Sequence, residues 1–272
     1  MIVFPNCKIN LGLHVLEKRP DGFHNMETVF YPLAFPDALE IIRGDAANKD
    51  IDIIVTGFQL NQPVEENICV RAYYLLKAKF KDISPVKVHL HKTIPVGAGL
   101  GGGSADGAFT LLLLNKKFQL GLTERELLQF ALQLGSDCPF FIINKPCIAM
   151  GRSEEFKEVE LNLSNYKIVL VNPAININTA WAFSHIQPRQ EKSSLEEIIL
   201  KNVEEWKGTL VNDFEDVIFN THPEIKTIKN ELYNQGAIYA SLSGSGSTVY
   251  GLFRKEDTTA FNFPPHYFIK TA

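Results

Sequence analysis

The sequence predicts an α+β fold in two domains, and three observations lead there. Strand-like and helix-like segments are mixed along the chain without the strict alternation of a doubly wound sheet. A charged, weakly patterned stretch at residues 151–165 precedes a fresh strand pattern, which sets the expected division into domains 1–158 and 159–272. The chain has 272 residues, enough for one large or two modest domains with a substantial core.

The elements follow from periodicity and punctuation. KINLGLHV at 8–15 alternates, with Ile9, Leu11, Leu13 and Val15 on one face and Lys8 and Asn10 on the other, as in a half-buried strand. Arg19-Pro-Asp-Gly22 is turn chemistry. Strand-like segments follow at 27–33, 38–42 and 51–55, then a helix at 65–80. At 86–94 a strand turns Val88 and Leu90 one way and Lys87, His89 and His91 the other. A glycine-rich loop leads into a helix at about 104–118. Thr123-Glu-Arg-Glu126 is a capping-box pattern that opens a helix ending at Gly135. The second half reads as a strand at 167–172, helices at 194–205, 209–219 and 223–234, and strands at 238–242 and 248–253 around a GSGS turn. Pro223 and Gly236 bracket the third helix in the usual asymmetry. The tail, with FNFPPHYF, fits neither pattern.

Composition narrows the function classes. Apolar residues make up 45% and charged residues 21%, as in ordinary globular proteins, and the net charge is −4. That balance argues against a protein that lives on nucleic acid or anionic membrane. No basic segment followed by a long apolar core opens the chain, and its apolar runs are too short to span a bilayer. Cys7, Cys69, Cys138 and Cys147 are scattered without CxxC spacing, so a reduced, cytoplasmic chain with packing cysteines is expected. A monomer or weak homodimer is expected.

The chemistry begins at PVGAGLGGGSA, residues 95–105, with five glycines just before a helix. So little side chain there points to an anion approaching backbone N–H groups, phosphate above all. A P-loop needs a lysine after its last glycine, and none lies between Thr93 and Asn115. GxGxxG matches literally from Gly97 to Gly102. The acidic residue expected some 20 positions on is replaced by the end of a helix at Lys116–Gln119, and Pro95 separates loop from strand, which excludes the dinucleotide motif. A turn that merely lets a helix pack close to a sheet would not need so many glycines, each costly in conformational entropy.

PVGAGLGGGSADGA resembles the second motif of the galactokinase, homoserine kinase, mevalonate kinase and phosphomevalonate kinase (GHMP) superfamily. PNCKINLGLHV at 5–15 resembles the family's first motif and SLSGSGSTVYGLF at 241–253 its third. The three span nearly the whole chain in the family's order. The resemblance implies the two-domain GHMP kinase fold, with a ribosomal protein S5 domain 2-like N-terminal domain and a ferredoxin-like C-terminal domain. It also implies transfer of the ATP γ-phosphoryl group to an alcohol, with Mg²⁺ accompanying ATP. RPDGFH at 19–24, GSDCPFF at 135–141 and GRSE at 151–154 are similar to one branch. Its members phosphorylate a cytidyl-diphosphate-linked polyol on the non-mevalonate route to isoprenoid precursors. Another alcohol kinase of the family, of homoserine or mevalonate type, and a nucleotide-binding homologue without catalysis are the alternatives.

On this resemblance Pro95, Val96, Gly97, Ala98, Gly99, Leu100, Gly101, Gly102, Gly103, Ser104 and Ala105 wrap the ATP phosphates. Ser104 either caps the following helix or sits near Mg²⁺ and phosphate oxygens. Asp137 is the expected proton acceptor or orienting group for the substrate hydroxyl, and Lys8 the expected catalytic cation. Asp106 is an indirect contributor. Asn10, Phe23, His24 and Phe183 are the expected substrate contacts. Phe23 replaces the branch's usual tyrosine, and Phe183, with Trp181 as its rival, would stack on the base. His89 and His91 share a strand face but read as exposed polar residues without a third metal ligand. Cys138 reads as packing.

Overall fold

The computed structural model describes residues 1–45, 49–188, 194–258 and 260–272. The chain opens with β1 (Ile2–Val3), β2 (Asn6–Lys18), β3 (His24–Pro36), β4 (Ala38–Arg43) and β5 (Ile51–Gly57). Next come α1 (Ile68–Lys79), β6 (Val86–Lys92), α2 (Gly102–Phe118), α3 (Glu124–Leu134) and α4 (Cys138–Ile143). Then follow β7 (Cys147–Gly151), β8 (Glu155–Glu158), β9 (Tyr166–Asn172), α5 (Thr179–His185) and α6 (Leu195–Ile199). The last elements are α7 (Phe214–Thr221), α8 (Pro223–Asn234), β10 (Tyr239–Leu242), β11 (Val249–Arg254) and β12 (Phe268–Thr271). Among the described residues no helix is long and apolar enough to cross a membrane.

Two compact units divide the chain, and neither is continuous in sequence. Unit 1 holds Met1–Cys7, Leu33–Val96 and Gly101–Asn144; unit 2 holds Lys8–Pro32, Gly97–Leu100 and Lys145–Ala272. Compactness therefore divides the chain differently from a single cut between residues 158 and 159. The charged stretch that suggested the cut contains β8, which pairs antiparallel with β7 just before it.

Unit 1 carries the sheet β1-β4-β6-β5, in which β5 and β6 run parallel and the other pairs antiparallel. The parallel pair is connected through α1, as parallel strands require. Alternation in β6 is strict: Val86, Val88, Leu90 and Lys92 are buried, while Lys87, His89 and His91 are exposed. Leu39, Ile41, Val88 and Leu90 form one core with Leu76 of α1, Leu111 and Leu114 of α2 and Leu127 of α3. Each such side chain contributes about 1.5–3 kcal/mol on burial. The Thr123–Glu126 capping box forms as expected. Asn67, not a residue near 65, caps α1 by accepting from the Cys69 amide, after a short 3₁₀ turn at Val64–Glu66.

Unit 2 carries the sheets β2-β3-β7-β8 and β10-β11-β9-β12. Val169, Val171, Val249 and Phe253 pack against Ile225, Ile228 and Leu232 of α8. Several sequence expectations need correction here. Strand β2 is buried on both faces from Cys7 to Val15, not half-buried. The helix expected at 194–205 stops at Ile199 and is followed by a 3₁₀ turn at Val203–Glu205. That expected at 209–219 begins only at Phe214. Residues 211–213 instead bond to β2: Leu13 donates its amide to the Val211 carbonyl and Asp213 donates to the Leu13 carbonyl. The tail contributes edge strand β12.

Candidate active site

The glycine loop is built by alternation. Gly97, Gly99 and Gly101 have φ of 66°, 77° and 70°, a region that side chains disfavour. Gly99 is the most constrained, because a Cβ there would lie 2.0 Å from the Ser243 carbonyl oxygen. Gly103 is the opposite case: a Cβ would meet nothing within 4 Å. Val96, Gly97 and Gly103 are exposed, Gly99, Gly101 and Ser104 half-buried, and Pro95, Ala98, Leu100, Gly102 and Ala105 buried.

Within unit 2 the three glycine-bearing motifs meet on one atom. The Gly99 carbonyl accepts from Lys8 Nζ at 3.2 Å and from the Ser243 hydroxyl at 2.8 Å. The flanking backbone is tied as well: Lys8 donates its amide to the Leu100 carbonyl, and Thr248 to that of Ala98. Lys8 also donates to Asn10 Oδ1 at 2.6 Å and lies 5.0 Å from the Phe30 ring centroid. Asn10 donates to the Thr28 hydroxyl, which donates to the Gly12 carbonyl. Lys8 and Asn10 are 3% and 2% exposed, so neither lies on a solvated strand face. Sequence reasoning missed Ser243, Thr28 and Phe30. Ser243 lay inside the quoted third motif and was the findable one.

The second glycine turn has supports of its own. Asn212 donates to the carbonyls of Leu242 and Gly244. Glu215 accepts from Ser241 and the Leu242 amide, and Asn172 donates to Ser247 and Thr248.

Within unit 1, α2 starts at Gly102, two residues earlier than expected. Gly101 occupies the N-cap in a left-handed conformation and no side chain caps the helix. Ser104 is thus the third helical residue and does not serve as the cap. A helix N-terminus without a side-chain cap favours anions through its N–H groups and dipole. Asp137 is the residue before α4, with φ −85° and ψ −11°, and is half-buried. Next to it, burial pushes the Cys138 thiol up to about 12; the Ser104 hydroxyl opposes the rise and the Asp137 charge adds to it. A thiol so far from ionising is packing, not a nucleophile.

Each of the expected aromatic base-binding residues has a ring contact. Phe183 stacks on His24, with centroids 5.2 Å apart and planes 15° apart, and meets Phe214 edge-on. Phe23 is 48% exposed, and the Arg152 guanidinium lies 3.5 Å over its ring. Arg152 belongs to the GRSE segment and was not singled out from sequence. Burial and then Lys18 lower the His24 imidazole, which favours its neutral form. Trp181 packs against His185 and His222.

Asp106 and Lys92 are buried together with Asp37. Burial raises the Asp106 carboxyl to about 7, Lys92 opposing the rise and Asp37 adding to it. The Thr56 hydroxyl contacts both His89 and His91 on the exposed sheet face. Among the described residues no group of three or more His, Cys, Asp and Glu suits a metal.

Known proteins place the chain in a family. The model described as "GHMP kinases N terminal domain" matches residues 67–145, and that described as "GHMP kinases C terminal" matches 194–261. A 4-diphosphocytidyl-2-C-methyl-D-erythritol kinase from Bacteroides thetaiotaomicron is 51% identical over 258 residues, covering 95% of this chain and 94% of its own. One from Azobacteroides pseudotrichonymphae is 49% identical, covering 99% of this chain and 100% of its own. Among solved structures, a 4-(cytidine 5'-diphospho)-2C-methyl-D-erythritol kinase superposes with a TM-score of 0.78 at 29% identity. It covers 93% of this chain and 90% of that chain.

Proposed function

The chain belongs to the GHMP kinase family, with its two-domain mixed α/β fold, and from that premise we propose what it phosphorylates and with which residues. It is an ATP-dependent small-molecule kinase. Its substrate is 4-diphosphocytidyl-2-C-methyl-D-erythritol, phosphorylated on the 2-hydroxyl in the non-mevalonate route to isoprenoid precursors. In the family's sense the N-terminal domain covers 1–158 and the C-terminal domain 159–272, and the activity is cytoplasmic.

The observation that carries this reading is the Gly99 carbonyl, held at once by Lys8 of the first motif and Ser243 of the third. Phosphoryl transfer asks little covalent chemistry of the protein; it asks for positioning and for cations near the moving charge. A loop with three left-handed glycines offers backbone N–H donors without side chains in the way, and residues 95–105 cradle the phosphates. The buried Lys8 ammonium, fixed by Asn10 and Gly99, stabilises charge in transfer. Asp137 accepts or orients the substrate hydroxyl proton. Asn10, Phe23, His24 and Phe183 contact the substrate, with Arg152 as an added partner of the ring at 23. The donor set suits Mg²⁺ carried by ATP better than a resident metal. Ser104 would be its hydroxyl ligand, and the ion would supply neutralisation of phosphate charge when bound.

A coupled ADP-release assay with Mg-ATP tests the proposal, comparing the cytidyl substrate with mevalonate, homoserine and galactose. Selective release with the cytidyl substrate is expected. Release with another alcohol would keep the loop's role and discard the substrate. ATP binding without turnover on any of them would favour a non-catalytic homologue.

A further inference from the structure

Unit 1 contains a set of buried charges that phosphoryl transfer itself does not call for. Asp37, Lys92 and Asp106 are 1%, 3% and 2% exposed. Lys92 Nζ donates to Asp106 Oδ2 at 2.6 Å and to Asp37 Oδ2. Asp37 Oδ1 accepts from the amides of Thr93 at 2.6 Å and Ile94 at 2.9 Å, the two residues before Pro95. Asp106 lies in the second turn of α2, just past the glycine loop.

Lys92 occupies the buried phase of β6, in register with Val88 and Leu90. An apolar residue there, with apolar partners at 37 and 106, would serve a core as well or better, because burying ions costs more than their attraction commonly returns. The cluster's distinctive feature is its place. One end bonds the backbone that enters the loop, the other is rooted in the helix that leaves it, and Lys92 joins the two. Residues 95–101 are thus suspended between stems linked by buried ion pairs.

We propose that Asp37, Lys92 and Asp106 are positioning residues for ATP: they fix the two stems of the glycine loop relative to each other and so set its fit to the phosphates. The proposal rests on the ATP reading of the loop. Small misplacements of a binding element cost disproportionately in rate and affinity, and a linked pair of stems removes that freedom.

Steady-state kinetics of Asp106→Asn, with Leu76→Ala as a core control from α1 of the same unit, test it. In Asp106→Asn the KM for ATP should rise about tenfold or more, with the KM for the alcohol within about twofold of wild type. At pH 7.5, where the pH-dependent part of the difference has levelled off, the melting temperature of that variant should stay close to wild type. Leu76→Ala should melt about 5 °C lower or more while keeping its KM for ATP. An unchanged KM for ATP in Asp106→Asn overturns the proposal, as does an equal rise in Leu76→Ala. If Asp106→Asn does not fold, amide exchange on the wild type decides. ATP should slow exchange at Thr93 and Ile94 together with the first turn of α2, and slowing confined to α2 overturns the linkage. Wild-type turnover, measured first, tests the ATP reading separately; its absence would overturn that reading and this proposal with it.

Discussion

At the scale of single residues, the loop's glycines answer to different demands, and substitution separates them. Gly99 cannot carry a Cβ beside the Ser243 carbonyl. Gly99→Ala combines a left-handed non-glycine residue, about 1–2 kcal/mol, with a backbone clash. We expect it to lower the melting temperature and raise the KM for ATP together. Gly103 has open space and a helical backbone, so Gly103→Ala should stabilise α2 by up to about 1 kcal/mol. A raised KM for ATP in that more stable variant would show that an incoming phosphate needs the space; an unchanged KM would remove Gly103 from the cradle. Asp137 is tested by Asp137→Ala. Calorimetry should find ATP affinity nearly intact while kcat falls about 10²–10⁴-fold, as for loss of a group engaged mainly in the transition state. Near-normal turnover would withdraw its role.

At the scale of elements, β6 and α2 share the charge cluster, and its protonation has a sign that can be checked. The folded Asp106 carboxyl is raised to about 7, chiefly by burial, whereas in an unfolded chain it titrates near its ordinary value of about 3.9. Between those values the folded state holds a proton that the unfolded state has lost. Stability from this group therefore falls as pH rises from about 4 to 7 and levels off above. Lys92 acts in another window. Burial lowers its ammonium, the carboxylates outweigh burial, and the net rise gives stability that is lost only in strong alkali. The difference in melting temperature, wild type minus Asp106→Asn, should shrink steadily from pH 5 to 7.5. A difference independent of pH would show that the carboxyl is not perturbed.

The elements also show what a sequence can and cannot disclose. The capping box of α3 and the alternation of β6 were legible because their causes are local. Lys92 was legible in principle: period two places it inward with Val88 and Leu90, which demands a buried counter-charge. Strand β2 misled because burial on its second face is imposed by distant partners, such as Tyr250, whose hydroxyl donates to the Asn10 carbonyl. The helix expected at 209–219 lost its first turn for the same reason, as residues 211–213 bond to β2. Lys8, Asn10 and the glycine loop were found through motif spacing. The bond of Ser243 to Gly99 joins residues 144 apart in sequence, and no local pattern encodes it. Arg152 over Phe23 is likewise a tertiary event.

At the scale of the whole molecule, the two units exchange the chain five times, at 7/8, 32/33, 96/97, 100/101 and 144/145. Unit 2 needs β2, β3 and β7 from the first half as well as β9–β12 from the second. A Cβ at Gly12 would press on Leu195 and Leu210, so closely do the two halves pack there. Fragments 1–158 and 159–272 should therefore each fail to fold cooperatively when expressed alone, and co-expression should restore what separate expression does not. A sharp, cooperative thermal transition in either isolated fragment would contradict this.

The double hold on the Gly99 carbonyl carries a consequence for protein engineering. Residues 95–105 look like a cassette, short and rich in glycine, that could be grafted from one kinase to another. The graft would arrive without its anchors, because the lysine and serine that seat it lie near opposite ends of the chain. A transplanted loop should retain nucleotide affinity only when the segments around residues 8 and 243 travel with it, so the heritable module here is three separated pieces of sequence.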